Sequence, residues 1–303
     1  TGALNLNTVK TNPLNNVVVV ITGGTSGLGL SVTKTLHSLG ATMVVIGRSP
    51  KKLSWLQSEL DGDNNSKPRI VPIQANLNDL RSVSAAANEI IANNPHIHFL
   101  INNAGVHPLQ LKSHVSVQGY DETFTVNYLS HFLLTEKLLP ILEKSPHEAR
   151  IIQVSSRMAW GSDGTDLLIG TDDKANANIA PLASRGDSPL LRRKRRGYSN
   201  TKLAQILHAR KLGRVLGDQN SSTKVVSICP TFVGTSMIDL IGVLAFPADG
   251  VGISSILNGL FRPGLGSADR DFVANCHFKW LLNLVPYLPF RPVVTFWGGI
   301  AIV

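Results

Sequence analysis

The chain has 303 residues, of which 43% are hydrophobic and 16% are charged. This composition supplies a core for a large domain and excludes a disordered or collagen-like chain. The formal net charge of +9 favours acidic partners such as phosphates, nucleotides or anionic lipid, or else only keeps a basic surface soluble. The two cysteines, Cys229 and Cys276, have neither disulfide-scaffold nor metal-site spacing and favour a reducing compartment.

Strands and helices are predicted to alternate along the chain. The β-branched run 17–21 predicts a strand that is buried on both faces, as in a parallel sheet. Further strands are predicted at 41–47, 70–75, 99–102, 151–154 and 224–229, and helices at 30–39, 50–60, 79–93, 120–143 and 198–216. This alternation predicts an α/β fold: a single doubly wound parallel sheet of Rossmann type, with helices on both faces, in one domain spanning 1–303. The sequence contains no run of 18 or more apolar residues, so it predicts no membrane-spanning helix.

A glycine-rich turn follows the first predicted strand. Gly23, Gly27 and Gly29 have the spacing Gly-x-x-x-Gly-x-Gly, which differs from the Gly-x-Gly-x-x-Gly dinucleotide fingerprint. Glycine lets the backbone approach a pyrophosphate, and the helix that follows offers free N–H groups. A turn without a ligand has the same composition, but its place after the first strand favours a dinucleotide site.

The second predicted strand ends in Arg48-Ser49, where NAD enzymes carry an acid for the ribose hydroxyl. The guanidinium fork of Arg48 suits a 2′-phosphate, and Ser49 and Lys52 are expected to help. The sequence therefore predicts NADP(H) as cofactor. The alternative is that Arg48 is only a surface cation.

A tyrosine and a lysine are four positions apart in the helix predicted at 198–216. This spacing places Tyr198 and Lys202 on one helix face. A nearby ammonium favours the phenolate, so such a phenol can exchange a proton near neutral pH. By itself the pair is also compatible with a solvated helix surface.

Five motifs in this order resemble the short-chain dehydrogenase/reductase family. They are 22–29, Asn102-Asn103-Ala104-Gly105, Asn127, Ser155-Ser156 and 198–202, and the resemblance covers roughly 16–235. Within the family, Arg48 together with 198–204 is most similar to the retinol-dehydrogenase and protochlorophyllide-reductase-like branch.

The resemblance implies a catalytic set of Asn127, Ser156, Tyr198 and Lys202. Tyr198 would be the general acid in reduction, and Lys202 would lower its pKa and hold the nicotinamide ribose. Ser156 would bond the substrate carbonyl, and Asn127 would anchor a water leading to Lys202. The implied cofactor contacts are Gly23, Thr25, Ser26, Gly27, Leu28, Gly29, Arg48, Ser49, Asn76, Leu77, Asn103, Ala104, Gly105, Tyr198, Lys202, Pro230, Val233 and Thr235. Asn76 replaces the family's usual Asp, and no metal site is expected.

Residues 161–197 are polar and are predicted to be an irregular insertion between the catalytic serine and tyrosine. Such an insertion would cover the substrate pocket or contact a partner. It ends in the basic run Arg192–Arg196, which suggests a solvated loop, a contact with anionic lipid or an acidic protein, or a nuclear-targeting or nucleic-acid role. No aromatic residue interrupts this run, so no nucleic-acid partner is expected.

Residues 236–303 are predicted to form the substrate-pocket region and an apolar C-terminal tail. The apolar stretch 237–246 suggests a hydrophobic substrate, or core packing of a family helix. The tail 278–303 is rich in aromatic residues and interrupted by prolines. It suggests docking onto a membrane surface or a partner subunit, or folding back over the substrate site.

The predicted function is an NADP(H)-dependent oxidoreductase that interconverts a hydrophobic carbonyl compound and its alcohol. The alternative is an NADP(H)-binding structural or sensing subunit of a larger, membrane-bound assembly, and a light-dependent pigment reductase is a third option. The compartment stays open, and an organellar site with peripheral membrane association is compatible with the sequence.

Overall fold

A computed structural model describes residues 14–62, 70–107, 115–162, 164 and 190–230, without the side chains of 190–196. Six parallel strands form one sheet in the order β3-β2-β1-β4-β5-β6. They are β1 Val18–Thr22, β2 Thr42–Gly47, β3 Ile70–Gln74, β4 Phe99–Asn102, β5 Arg150–Val154 and β6 Lys224–Ile228. The predicted doubly wound α/β sheet is confirmed in this part of the chain.

The helices connect successive strands. They are α1 Gly27–Ser38, α2 Pro50–Asp61, α3 Leu80–Asn93, α4 Glu122–Phe124, α5 Ser130–Leu142 and α6 Leu190–Asp218. Side chains cap three of them: the Ser49 hydroxyl accepts from the N–H of Lys52, the Asp79 carboxylate accepts from the N–H of Arg81, and the Asp121 carboxylate accepts from the N–H of Phe124. Such N-caps satisfy backbone donors that have no partner within the helix.

Each face of the sheet buries a separate apolar core, as expected for strands without apolar–polar alternation. On one face, Val20, Leu100 and Ile151 pack against α3, α5 and α6. On the other face, Val19, Ile21 and Ile152 pack against α1 and α2. Successive strand residues thus enter opposite cores, because side chains alternate between the faces of a strand.

The strand order reverses beside β1, which pairs with β2 on one side and β4 on the other. At such a point the connections leave the sheet towards opposite faces, which opens a crevice at the carboxyl ends of the strands. The segments after β1, β2, β4 and β5 therefore converge at one edge, and the motifs that the sequence singled out lie in them.

Two predicted elements differ in the structure. The helix predicted at 120–143 is interrupted by a π-helical turn, Thr125–Leu129, between α4 and α5. The prediction of an irregular segment at 161–197 is wrong for 190–197, because α6 begins at Leu190 and includes the basic run Arg192–Arg196. This run is therefore helical and is not the loop that one interpretation assumed. The polar composition of this segment led to the wrong prediction, because a helix that begins with charged residues lacks the apolar periodicity used to predict helices.

Residues 163 and 165–189 of the insertion, Val233, Thr235 and 236–303 lie outside the described residues. Predictions about them therefore stay predictions. Within the described part of the chain, no helix combines the length and apolar character needed to cross a bilayer.

Candidate active site

The glycine turn after β1 is closely packed. Gly23 has φ +69°, a left-handed conformation that favours glycine, and its N–H donates to the Ile46 carbonyl at 2.9 Å. A Cβ on Gly29 would overlap the Gly23 carbonyl oxygen and would lie 2.5 Å from Nδ2 of Asn103. The turn thus holds the N-terminus of α1 against the backbone, which leaves a side-chain-free cradle of the kind a pyrophosphate needs.

The other predicted contacts in this turn lie beside the cradle. Gly27 begins α1, and Ser26, its N-cap, makes no side-chain capping bond, so its hydroxyl does not occupy the N–H groups of the first turn. Thr25 is half-buried, and Leu28 packs against the core under α1. The residues present therefore fit a dinucleotide pyrophosphate at this helix N-terminus.

Arg48 lies next to this turn. It follows β2, whose Ile46 pairs with Thr22, and a Cβ on Gly47 would lie 3.6 Å from Cγ2 of Thr25. The Arg48 side chain is exposed, and Ser49 begins α2 as its N-cap. The guanidinium is thus free to meet a phosphate at the edge of the cradle.

The adenine side of the predicted site lies after β3. Asn76 is exposed, and its Oδ1 accepts from the N–H of Asn78 at 3.1 Å. A carbonyl oxygen has two lone pairs, so this Oδ1 retains a second acceptor position. Leu77 is half-buried against the core, and Pro230 comes shortly after β6.

Thr22, at the end of β1, joins three segments. Its Oγ1 accepts from the N–H groups of Asn103 and Ala104, both at 3.0 Å, and lies 2.9 Å from Nε2 of His131. Because two N–H groups use both lone pairs, the hydroxyl donates its own hydrogen to Nε2. The bonds from Asn103 and Ala104 anchor the segment after β4 to the end of β1, and Asn103 also donates through Nδ2 to the Thr22 carbonyl at 2.9 Å.

The same network defines the state of His131. Since Nε2 accepts, the ring carries its proton on Nδ1, which donates to the Asn127 carbonyl at 3.0 Å. Burial lowers the pKa of His131 to about 3, so the ring is neutral at physiological pH. A second ring proton would face a hydroxyl whose lone pairs are already occupied. Neutral His131 thus connects α5 to the end of β1 and to the π-helical turn.

The Thr22 hydroxyl is expected to be important for stability. Thr22→Val keeps the side-chain shape, but two backbone N–H groups and the His131 ring lose a partner. We expect the free energy of unfolding to fall by roughly 2–5 kcal/mol, measured by urea denaturation. Thr22→Ser is the control, because it retains the hydroxyl and removes one methyl group, at a cost of about 1 kcal/mol. A loss in Thr22→Val no larger than that in Thr22→Ser would contradict the role of the hydroxyl.

Asn127 is fully buried in the π-helical turn. Its Oδ1 accepts from the N–H of Val106 at 2.7 Å, and its Nδ2 donates to the Val106 carbonyl at 3.0 Å and to Oγ1 of Thr201 at 3.2 Å. Asn127 therefore holds the segment after β4 against α6. The expected water between Asn127 and Lys202 stays a prediction.

Ser156, Tyr198 and Lys202 lie together at the carboxyl end of β5. The Ser156 side chain hydrogen-bonds to the Tyr198 phenol, and Nζ of Lys202 lies 5.7 Å from the centre of the phenol ring. The side chains of Tyr198 and Lys202 are buried, and Oγ of Ser155 donates to the Lys202 carbonyl at 2.8 Å, which attaches α6 to the end of β5. The structure thus brings together the three residues that the motifs predicted.

Burial has the largest influence on the ionisation of Tyr198 and Lys202. Burial raises the pKa of Tyr198; the hydrogen bond with Ser156 lowers this pKa, and the electrostatic interaction with Cys229 raises it. Burial lowers the pKa of Lys202 to about 8, and the electrostatic interaction with Cys229 opposes this lowering. Nζ of Lys202 donates to the Val154 carbonyl at 2.8 Å and to Oε1 of Gln205 at 3.0 Å. Because burial raises the pKa of Tyr198 above its ordinary value, the phenol is protonated at neutral pH, and the expected lowering of that pKa by Lys202 stays a prediction.

Several residues of this site were not assigned from the sequence. They are Thr22, His107, His131, Gln205 and Cys229. The His107 ring lies 4.7 Å from the Tyr198 ring, between centroids. Helical spacing offered a signal for two of them, since His131 is one turn after Asn127 and Gln205 one turn after Lys202. For the others the contact depends on chain segments distant in sequence.

Comparison with known proteins identifies relatives. Residues 17–163 match the family model described as short chain dehydrogenase. Polyprenol dehydrogenase of Homo sapiens is 28% identical over 224 residues, which cover 73% of this chain and 62% of that protein. Retinol dehydrogenase 14 of Mus musculus is 31% identical over 229 residues, which cover 72% of this chain and 62% of that protein. The chain therefore spans less than two thirds of the length of these two curated relatives.

A solved structure supports the fold. A short chain dehydrogenase/reductase from Burkholderia phymatum, in complex with NAD, aligns with a TM-score of 0.59 at 18% identity, over 89% of this chain and 87% of that chain. At this identity the likeness establishes the fold alone. With the matching family model, the named relatives and the convergence of the motif residues, the resemblance seen in the sequence is confirmed: the chain belongs to the short-chain dehydrogenase family.

Proposed function

We propose that this chain is an NADP(H)-dependent oxidoreductase that interconverts a hydrophobic carbonyl compound and its alcohol. The observation that carries the proposal is the buried Tyr198 phenol, hydrogen-bonded to Ser156 with Lys202 below its ring. This group lies at the same sheet edge as the glycine cradle. A proton donor beside a dinucleotide cradle is the arrangement that carbonyl reduction requires.

Each side chain has a role that its surroundings support. In reduction, the nicotinamide, when bound, supplies the hydride. The Ser156 hydroxyl donates a hydrogen bond to the carbonyl oxygen, and Tyr198 transfers its proton to that oxygen as negative charge develops there. Lys202 stabilises the phenolate that remains. In alcohol oxidation the same phenolate accepts the proton.

The names of the relatives support the substrate class. The two curated relatives are described as dehydrogenases of polyprenol and of retinol, which are both hydrophobic alcohols. We therefore propose a long apolar alcohol, or the corresponding aldehyde or ketone, as substrate. The test is cofactor oxidation, followed at 340 nm against a panel of hydrophobic aldehydes and ketones. No turnover of any apolar carbonyl, with polar ones reduced, would contradict this class.

The preference for NADPH is assigned to Arg48. Arg48→Glu removes the fork that would bind the 2′-phosphate and places a repelling carboxylate there. We expect NADPH to bind about ten- to a hundredfold more weakly, with little change for NADH, in fluorescence titrations.

The control is Arg214→Glu, which reverses the same charge at an exposed position near the C-terminal end of α6. It should leave both affinities unchanged. Equal binding of NADH and NADPH by the unaltered protein would contradict the preference, and equal effects of the two variants would assign the change to net charge.

The tail is proposed to dock the protein on a membrane surface or a partner subunit. This proposal rests only on the composition of residues 278–303. Where the protein is located in the cell would follow from such docking. Deletion of 278–303 should release the protein from liposomes or from its partner in co-sedimentation. Unchanged association would contradict the proposal.

A further inference from the structure

The ammonium of Lys202 donates its hydrogen bonds to neutral groups. Its Nζ donates to the Val154 carbonyl at 2.8 Å and to Oε1 of Gln205 at 3.0 Å. Among the described residues, no carboxylate lies within ion-pair distance of Lys202. The Lys202 side chain is 3% exposed and that of Gln205 is 0% exposed, so water does not replace either contact. The Gln205 amide is therefore the one side-chain hydrogen-bond partner of this ammonium in the described structure.

We propose that Gln205 is a positioning residue for Lys202, and that it sets both the location and the ionisation of the lysine beneath Tyr198. The inference rests on the proposed function, in which Lys202 stabilises the phenolate. It goes beyond that function by naming the group through which the rest of α6 acts on the lysine.

An amide is suited to this position because it can serve both states of a lysine. The ammonium has only donors, so it needs the amide oxygen, whereas a neutral amine can accept from the amide N–H₂. A carboxylate would hold only the charged form, and an apolar side chain would hold neither. Glutamine thus permits Lys202 to be held while its charge changes.

The amide nitrogen of Gln205 supports a role beyond packing. Nε2 of Gln205 is buried and has no hydrogen-bond partner in the described part of the chain. A buried donor without a partner destabilises a fold, so packing alone would favour an apolar residue here. The retained amide is explained if its oxygen is needed by Lys202.

Other ionisable groups also face Lys202. These are Tyr198 on α6, His131 on α5 and Cys229 after β6; His208 acts on His131, and His107 contacts the Tyr198 ring. Burial lowers the pKa of His208 and that of His131, so both rings are neutral near pH 7. Of the remaining groups, Cys229 interacts electrostatically with Lys202 and raises its pKa. The variants of Gln205 therefore have to leave these other ionisable groups unchanged.

The experiment measures the ionisation of Lys202 without requiring activity. The protein, free of cofactor, is labelled with lysine carrying ¹³C at Cε, and each resonance is followed by NMR against pH. Lys202→Arg identifies the resonance by its loss. Gln205→Glu adds a charged acceptor and should raise the pKa of Lys202 by about one to three units. Gln205→Met removes the acceptor and should lower that pKa by about one unit.

Two further variants complete the set. Gln57→Glu introduces the same charge at a residue whose Nε2 donates to the Ile70 carbonyl, at the opposite end of the sheet, and should leave Lys202 unchanged. Gln205→Asn keeps the amide with a shorter reach and should lower the pKa less than Gln205→Met. If circular dichroism shows that Gln205→Glu does not fold, Gln205→Asn and Gln205→Met still test the proposal.

Opposite movements of the Lys202 pKa in Gln205→Glu and Gln205→Met support the proposal. Movement in the same direction, or none in either folded variant, overturns it. The pH at which kcat is half-maximal should follow the Lys202 pKa, with little change in KM. Absence of turnover in the unaltered protein on every carbonyl tested would count against the proposed function, while the NMR titration would still decide the role of Gln205.

Discussion

Tyr198→Phe is expected to lower kcat by about a hundredfold to ten-thousandfold, with little effect on NADPH binding. The change removes only the phenol oxygen from a side chain that is 7% exposed, so the ring keeps its packing. Without that oxygen, no group hydrogen-bonded to Ser156 remains to transfer a proton to the substrate. Steady-state kinetics with the best carbonyl of the panel, together with NADPH fluorescence titration, measure both quantities.

Tyr120→Phe is the matched control, because it removes the same atom from a half-buried tyrosine before α4. It should retain full activity. Loss of kcat in Tyr198→Phe alone would establish the proton donor. Full activity of Tyr198→Phe would contradict the mechanism. Tight NADPH binding with no Tyr198-dependent turnover on any carbonyl would favour the alternative of a cofactor-binding subunit.

Gly29→Ala is expected to weaken NADPH binding at least about tenfold and to lower the free energy of unfolding by about 1–3 kcal/mol. The new Cβ would overlap the Gly23 carbonyl oxygen and approach Nδ2 of Asn103. The carbonyl is backbone and cannot rotate away, so either the turn or the start of α1 has to move. Both possibilities disturb the cradle, and fluorescence titration and urea denaturation measure the two effects.

Gly217→Ala serves as the control in the last turn of α6, where a Cβ would meet no atom within 4 Å. Alanine has the higher helix propensity, so this variant should be about as stable as the unaltered protein or up to about 1 kcal/mol more stable. NADPH binding should not change. If Gly29→Ala bound NADPH with unaltered affinity, the pyrophosphate would have to lie elsewhere.

Much of the fold was predictable because buried parallel strands have a local signature. Their uninterrupted apolar runs identified all six strands of the sheet, and the turn chemistry between them located α1 and α2. The helical spacing of Tyr198 and Lys202 likewise placed both on one face of α6, as observed. These features depend on residues that are near one another in the chain, which is the range over which patterns in a sequence carry information.

Local patterns failed where charge or backbone irregularity intervened. The basic run 192–196 hid the first turns of α6, because helix prediction relied on an apolar stripe. The π-helical turn at Thr125–Leu129 has no distinctive composition, although it places Asn127 against both Val106 and Thr201. Such turns inside helices frequently lie at functional sites.

The family, the order of the strands along the chain, the glycine turn and the grouping of Ser156, Tyr198 and Lys202 were predictable from the amino-acid sequence alone. How these residues are held and charged depends on contacts that form only in the folded chain. The bonds from Thr22 to Asn103 and to His131 join residues 81 and 109 positions apart, and burial sets the pKa of His131 and of Lys202. Hydrogen bonding and desolvation depend on which segments meet in space, and no local pattern of residues specifies that.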